Sequence, residues 1–238
     1  MSILAKRNFD FLSANESVYT DVDILRLELR HKFIIDEFKP EIAGATVLDL
    51  ASHDGRWPWA FAKAGAKTVL GIEGRKDLID RFSAFPDDDA KARVTMTQGD
   101  IFEGLEGLVK SGRKFDVVGV LGIFYHIMDH YRLLKLVCAT KPKLIIVDND
   151  FWIANYPMIG LMRENTGKHL NTTAHVAGQE IAPVGYVSRP ALELMAETLG
   201  YRVEWSDWSQ VPVAERAPVA DYFREKTRKR NTCALRPI

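Results

Sequence analysis

An apolar run that ends on an acid and turns at once into a helix constrains this chain more than any other feature. The run is Val47-Leu48-Asp49-Leu50-Ala51-Ser52-His53-Asp54-Gly55. Its hydrophobic half reads as a strand and its small and polar half as a tight turn. Arg56 to Lys63 follows as a helix, with Pro58 in the first turn, where a missing N–H costs little, and Gly65 at the stop. Backbone N–H groups at such a helix start can face an anionic or polar ligand group.

The same unit recurs. Strands are expected over 46–50, 68–73, 94–98, 115–121 and 143–148, and helices over 57–64, 76–83, 102–111 and 129–140. Alternation of this kind implies a mostly parallel sheet with helices on both faces. Two of the later strands also end on acids. Lys67-Thr68-Val69-Leu70-Gly71-Ile72-Glu73 ends on Glu73, and a carboxylate at the tip of the second parallel strand can accept hydrogen bonds from both ribose hydroxyls of an adenosine. Asp100, in Gly99-Asp100-Ile101-Phe102, can meet the exocyclic amine of an adenine, with Ile101 against the ring face.

Asp49 to Gly55, Glu73, Asp100 and Phe115-Asp116-Val117-Val118 together resemble the ordered motifs of class I S-adenosylmethionine-dependent methyltransferases. The resemblance is clear over residues 45–150 and looser beyond. It implies an α/β, Rossmann-like, seven-stranded, mostly parallel sheet with an antiparallel last strand. It also implies S-adenosyl-L-methionine as cofactor, held by Asp49, Ala51, Ser52, His53, Gly55, Glu73, Asp100, Ile101, Leu121 and Gly122. Where the family has three alternating glycines after the first acid, this chain has Ala51, His53 and Gly55. His53 puts an imidazole where the methionine end of the cofactor normally passes. A nicotinamide-binding domain is the rival, but it needs early glycines beside a pyrophosphate, and Asp49 there would be repulsive.

The whole is read as one domain, residues 1–238. An N-terminal arm and helix (1–40) precede the cofactor-binding core (45–150). A lid insertion (151–187) and a C-terminal helix and strands (188–238), with a further insertion at 209–228, follow. The leader, with Phe9, Phe11, Leu12, Val18 and Tyr19, lies over the cofactor cleft or is a simple packing arm. Thr20 and Asp23 have the spacing of a helix-capping box, and the helix they open should stop before Pro40. His31 and His130 are expected to face solvent, and Pro86-Asp87-Asp88-Asp89 to be an acidic loop.

Hydrophobic residues make up 47% of the chain, enough for a core, and 32 basic residues cancel 32 acidic ones. Neutrality argues against a large nucleic-acid surface, because phosphate binding draws on lysine and arginine. Arg224, Lys226, Arg228, Lys229 and Arg230 form the one basic cluster, expected to be a solvated helix face rather than a tRNA contact. Two cysteines, Cys138 and Cys233, build neither a disulfide framework nor a zinc site. With no secretory pattern at the start and no apolar run near the roughly 20 residues of a membrane span, a soluble cytoplasmic protein is expected, with a homodimer allowed.

Chemistry is expected after the fourth strand, in Leu121-Gly122-Ile123-Phe124-Tyr125-His126-Ile127-Met128-Asp129-His130. The segment is similar to one in methyltransferases like the tRNA uridine carboxymethyltransferase and in small-molecule relatives. Gly122 permits close approach of the cofactor, Tyr125 and His126 can reach the transfer centre, and His126 is the first choice of base. His169 or His175, in the glycine- and aromatic-rich lid, is the second. Asp148-Asn149-Asp150 resembles the Asp-Asn pair with which catechol-type O-methyltransferases hold magnesium, so Mg2+ on Asp148 and Asp150 is an alternative way to activate a hydroxyl. The expected reaction is O-methylation of a small molecule such as a sugar. An RNA-modifying enzyme and a non-catalytic cofactor-binding module stay open.

Overall fold

The computed structural model describes every residue except 1–6, 16–18, 169 and 175. Helix α1 (Asp21–His31) starts at the expected capping box, in which Thr20 Oγ1 accepts from the Asp23 N–H while Asp23 accepts from the Thr20 N–H. A π-turn (Lys32–Asp36) prolongs it. The helix ends before Pro40, as expected, and Pro40 itself sits in the first turn of the short α2 (Lys39–Ile42), where no N–H is required of it. The sheet is then laid down by β1 (Thr46–Leu50), β2 (Thr68–Glu73), β3 (Val94–Gln98), β4 (Val117–Leu121) and β5 (Leu144–Trp152). Helices α3 (Arg56–Lys63), α4 (Lys76–Arg81), α5 (Asp88–Lys91), α6 (Ile101–Lys110) and α7 (His130–Ala139) connect them. The acidic loop is therefore partly helical, with Asp87 accepting from the Ala90 N–H as the cap of α5.

Two further strands, β6 (Ile159–Asn165) and β7 (Ile181–Val187), pair only with each other. Helix α8 (Arg189–Thr198), capped by Ser188 as its sequence suggests, leads to β8 (Tyr201–Trp205) and β9 (Arg228–Pro237). The main sheet is seven-stranded in the order β3-β2-β1-β4-β5-β9-β8. Strands β1 to β5 run parallel, and β9 is antiparallel to both of its neighbours. Val47, Leu48, Val118, Val120, Ile145 and Val147 are fully buried, as strands covered on both faces require.

Three expectations are corrected. Strand β5 runs four residues past Asp148 because β9 pairs with it as far as Trp152. The insertion carries a paired hairpin, with Ala182, Val184 and Val187 buried. His31 and His130 are buried rather than solvated, His31 edge-on to Phe9 and His130 on the Gly185 carbonyl at 2.9 Å. The basic cluster is not a helix face, since Arg228, Lys229 and Arg230 open β9 and Arg230 is buried. Phe9 is fully buried against Trp57 and Trp59, and no described leader residue lines the cavity described next, so the described part of the leader packs as an arm. His169 and His175, like Val18, lie outside the described residues.

Candidate functional site

A cavity of about 640 Å³ opens beyond the carboxyl ends of the parallel strands. Its wall contains Ala51, His53, Glu73, Asp100, Ile101, Leu121, Gly122, Tyr125 and His126 of the expected residues. Asp49, Ser52, Gly55, Asp148 and Asp150 are not on it.

The turn after β1 explains the family's glycines. Ala51 and His53 both have φ of 54°, in the left-handed region, and Gly55 has φ of 84°. A side chain in that region costs about 1–2 kcal/mol. Contacts around the turn offset the cost: Ser52 donates through N–H to the Ile72 carbonyl, and the His53 N–H donates to Glu73 Oε2 at 2.8 Å. Arg56 reaches Asp54 at 2.7 Å and His53 Nδ1 at 2.7 Å, and Tyr19 donates to Asp54 from the arm. Burial holds the His53 pKa below its usual value, so the ring presents itself neutral. Gly55 is behind the wall, where a Cβ would stand 2.4 Å from the Phe82 ring.

Glu73 is oriented by two backbone donors, the N–H of His53 and that of Arg75 at 3.0 Å. Oε1 also pairs with the Arg75 guanidinium at 3.7 Å, and a carboxylate oxygen has a second lone pair that a ligand hydroxyl can use. Asp100 caps α6, its Oδ1 accepting from the Phe102 and Glu103 N–H groups, and its side chain is exposed at the cavity rim. Asp49 is buried with neither carboxylate oxygen hydrogen-bonded, and burial pushes its pKa well above the carboxylate range. Its Oδ1 lies where a Cβ on Gly119 would be only 2.7 Å away, beside the wall residue Leu121.

On the opposite side, His126 Nδ1 meets Glu164 Oε2 at 2.7 Å. The same oxygen accepts from the Thr172 N–H at 2.8 Å, so one β6 carboxylate orients both the imidazole and a lining segment of the insertion. Burial opposes the charge on Glu164, but the bonds from His126 and Thr172 hold its pKa below the usual value. Tyr125 stacks on Tyr186 with ring centres 5.6 Å apart, and Arg230 Nη1 is 3.4 Å from its hydroxyl.

Asp148 is corrected as a catalytic and metal-binding residue. It is fully buried, its Oδ1 accepting from Arg30 at 2.8 Å and Arg230 at 2.7 Å, its Oδ2 from Tyr222 at 2.6 Å and Thr232 at 2.8 Å. Burial alone would raise its pKa; the two guanidiniums hold it well below the usual range. Neither Asp148 oxygen is left for a metal, and Asp150 pairs with Arg228 through Oδ2 at 3.5 Å while its buried Oδ1 accepts no hydrogen bond. Among the described residues no group of three His, Cys, Asp or Glu side chains could hold a metal ion.

Sequence reasoning missed Glu164, Arg26, Arg30 and Arg230. Arg26 and Arg30 are one helical turn apart on α1, the single local signal among them. The roles of the others depend on partners far away in the chain, His126 for Glu164 and Asp148 for Arg230.

Several solved structures of similar architecture are methyltransferases. The N-terminal domain of EvdMO1 with SAH bound superposes with a TM-score of 0.62 at 18% identity, over 90% of this chain and 81% of that one. A putative S-adenosylmethionine dependent methyltransferase from Listeria monocytogenes gives 0.60 at 16% identity, over 88% and 99%. The chain has the class I methyltransferase fold. The [4+2]-cyclase SpnF shares it too, with a TM-score of 0.53 at 13% identity, over 85% and 81%. No family model matches the sequence, and no curated protein matches it. No helix among the described residues is long and apolar enough to cross a membrane.

Proposed function

We propose that this protein is an S-adenosylmethionine-dependent methyltransferase that methylates a hydroxyl group of a small molecule. The observation that carries the reading is one cavity wall with an adenosine-type acid, Glu73, at one side and a carboxylate-oriented imidazole, His126–Glu164, at the other.

The residues fit the cofactor. Glu73 would take the ribose hydroxyls, Asp100 the adenine amine and Ile101 the ring face. Asp49, a buried carboxylate without a partner, suits an ammonium group. Gly122, with φ of 89°, and Leu121 leave backbone exposed beside it. When bound, the cofactor supplies a methyl carbon already activated by a positive sulfur. The chain's own task is then alignment and removal of one proton. With Nδ1–H donated to Glu164, His126 Nε2 is left as the acceptor for the hydroxyl proton. Asp148 has no place for magnesium, so no step is assigned to a metal.

A cavity of this size suits a small acceptor. The EvdMO1 domain was also crystallised in the presence of SAH and D-fucose, which favours a saccharide-like acceptor over RNA. SpnF, by contrast, keeps fold and reaction separate matters. Calorimetry with S-adenosylhomocysteine, followed by a screen of sugars, phenols and hydroxy acids with labelled S-adenosylmethionine, tests the reading. Saturable binding and label transfer are expected. Binding of NADH with none of the homocysteine compound would overturn it.

A further inference from the structure

The charges on the cavity wall are unevenly spread. Toward β2, β3, α6 and α7 the wall carries Glu73, Asp100, Glu103 and Asp129 against Arg75 and Arg132. Toward β5 and β9 it carries Arg26, Arg30 and Arg230 and, among the described residues, no lining carboxylate. Their counter-ions stand behind them. Asp221 takes Arg26 in a two-point pair at 2.6 and 2.5 Å, while Asp148 takes both Arg30 and Arg230. Asp150 is matched by Arg228.

Among the described residues three guanidiniums therefore share two carboxylates, and one positive charge is left over. It is left in a poorly solvated place, since the side chains of Arg30 and Arg230 are 11% and 8% exposed. Arg30 Nε is buried and has no hydrogen-bond partner. A buried cation in excess is unfavourable until an anion joins it. A guanidinium fork is the natural seat for a carboxylate or phosphate.

We infer that the methyl acceptor carries an anionic group, a carboxylate or a phosphate, which Arg26, Arg30 and Arg230 hold while its hydroxyl is presented to His126. The inference rests on the methyltransferase reading above. Arg230 reaches the Tyr125 hydroxyl at 3.4 Å, and the Tyr125 and His126 ring centres are 4.3 Å apart. Anchor and base thus both border the Tyr125 ring, the Arg230 Cζ 5.6 Å and the His126 ring 4.3 Å from its centre. A neutral polyol of the same size would leave the arginines unmatched.

The test uses the full chain saturated with S-adenosylhomocysteine, titrated in a calorimeter with D-glycerate, glycerol 3-phosphate and glycerol. At least one of the anions should bind ten times or more tightly than glycerol, and which one does so separates carboxylate from phosphate. Arg26→Gln and Arg230→Gln should each weaken that anion tenfold or more and change homocysteine-compound affinity by less than about twofold. Arg26 is the safer variant for folding, because its side chain is 26% exposed. Equal binding of glycerol and both anions, or anion binding untouched by Arg26→Gln, overturns the inference. So does a parallel loss of homocysteine-compound affinity in both variants, which would assign the spare charge to the cofactor's own carboxylate. Failure of the first titration, with no homocysteine compound bound, is a different result and removes the methyltransferase reading itself.

Discussion

Asp49 stands near the end of β1 and Asp148 where the parallel pairing of β5 with β4 ends, and both are buried. They share a sheet face, since Asp49 is level with Gly119 and Asp148 with Leu121, two residues apart on β4. Their chemistry is opposite. Asp148 accepts from four side chains and is held charged, whereas Asp49 accepts from none and is pushed toward its neutral form. Burial acts on both in the same direction, so partners alone decide the outcome. A saturated carboxylate is a tie rod of the fold. An unsatisfied one is a place where a ligand's positive group is missing. In a sequence both are only an acid closing an apolar run.

The comparison breaks first at Asp148. Asp148→Ala would strand Arg30 and Arg230 in the interior, and losing one partner of a buried pair costs about 3–5 kcal/mol. Thermal unfolding should show a fall in Tm on the order of 10 °C. A Tm within a degree or two of wild type would mean that the four contacts are not holding the sheet to α1.

Glu73 lies between the two extremes, buried but held by backbone donors with lone pairs to spare. Glu73→Ala should weaken S-adenosylhomocysteine by about 1.5–3 kcal/mol for each charge-assisted bond lost, a tenfold effect or more by calorimetry. Unchanged affinity would remove the adenosine end from this part of the cavity.

Asp49→Asn should separate binding from stability. The variant is expected to bind the homocysteine compound more weakly and yet keep its stability within about 1 kcal/mol, as one unpartnered polar group replaces another. Loss of stability on the scale of Asp148→Ala would show that Asp49 has a structural partner after all.

The two acids also carry opposite pH signatures. Asp148 has a depressed folded-state pKa, so its contribution is complete above the unfolded value near 4 and is lost as pH falls through the lower folded value. Asp49 has a raised one, so it subtracts stability as pH rises above about 4. Denaturant melts of Asp49→Asn should lack that decline between pH 4 and its end near the folded-state pKa. The smallest expected effect is that of a chelator: with both Asp148 oxygens taken by protein donors, EDTA should leave unfolding midpoint and turnover unchanged. Loss of turnover on chelation would return the metal to the mechanism.

The first half of the cavity was legible because its parts are close in sequence. His53 and Glu73 are joined across one strand–helix unit, and the β1, β2 and β3 bounds match those expected from apolar runs and turn residues. The left-handed turn was legible only as a departure, since Ala51 and His53 occupy positions that favour glycine and are held there by surrounding hydrogen bonds. The hairpin was not legible. β6 is largely exposed and lacks a clean alternation, so its identity comes from pairing with β7 rather than from its own residues.

By itself the amino-acid sequence determined the order of strands and helices, the parallel sheet and the acids at its strand tips. Each of these follows from hydrophobic period and turn chemistry acting over a few residues. Only the tertiary structure decided what those acids do. Asp148 became a structural anchor because α1, β9 and the turn carrying Tyr222 bring four donors to it from 74 to 118 residues away in the chain. Glu164 became the partner of His126 because the hairpin folds back over the strand ends. A charge's role depends on its desolvation and on its neighbours, and those are fixed by contacts that no local pattern encodes.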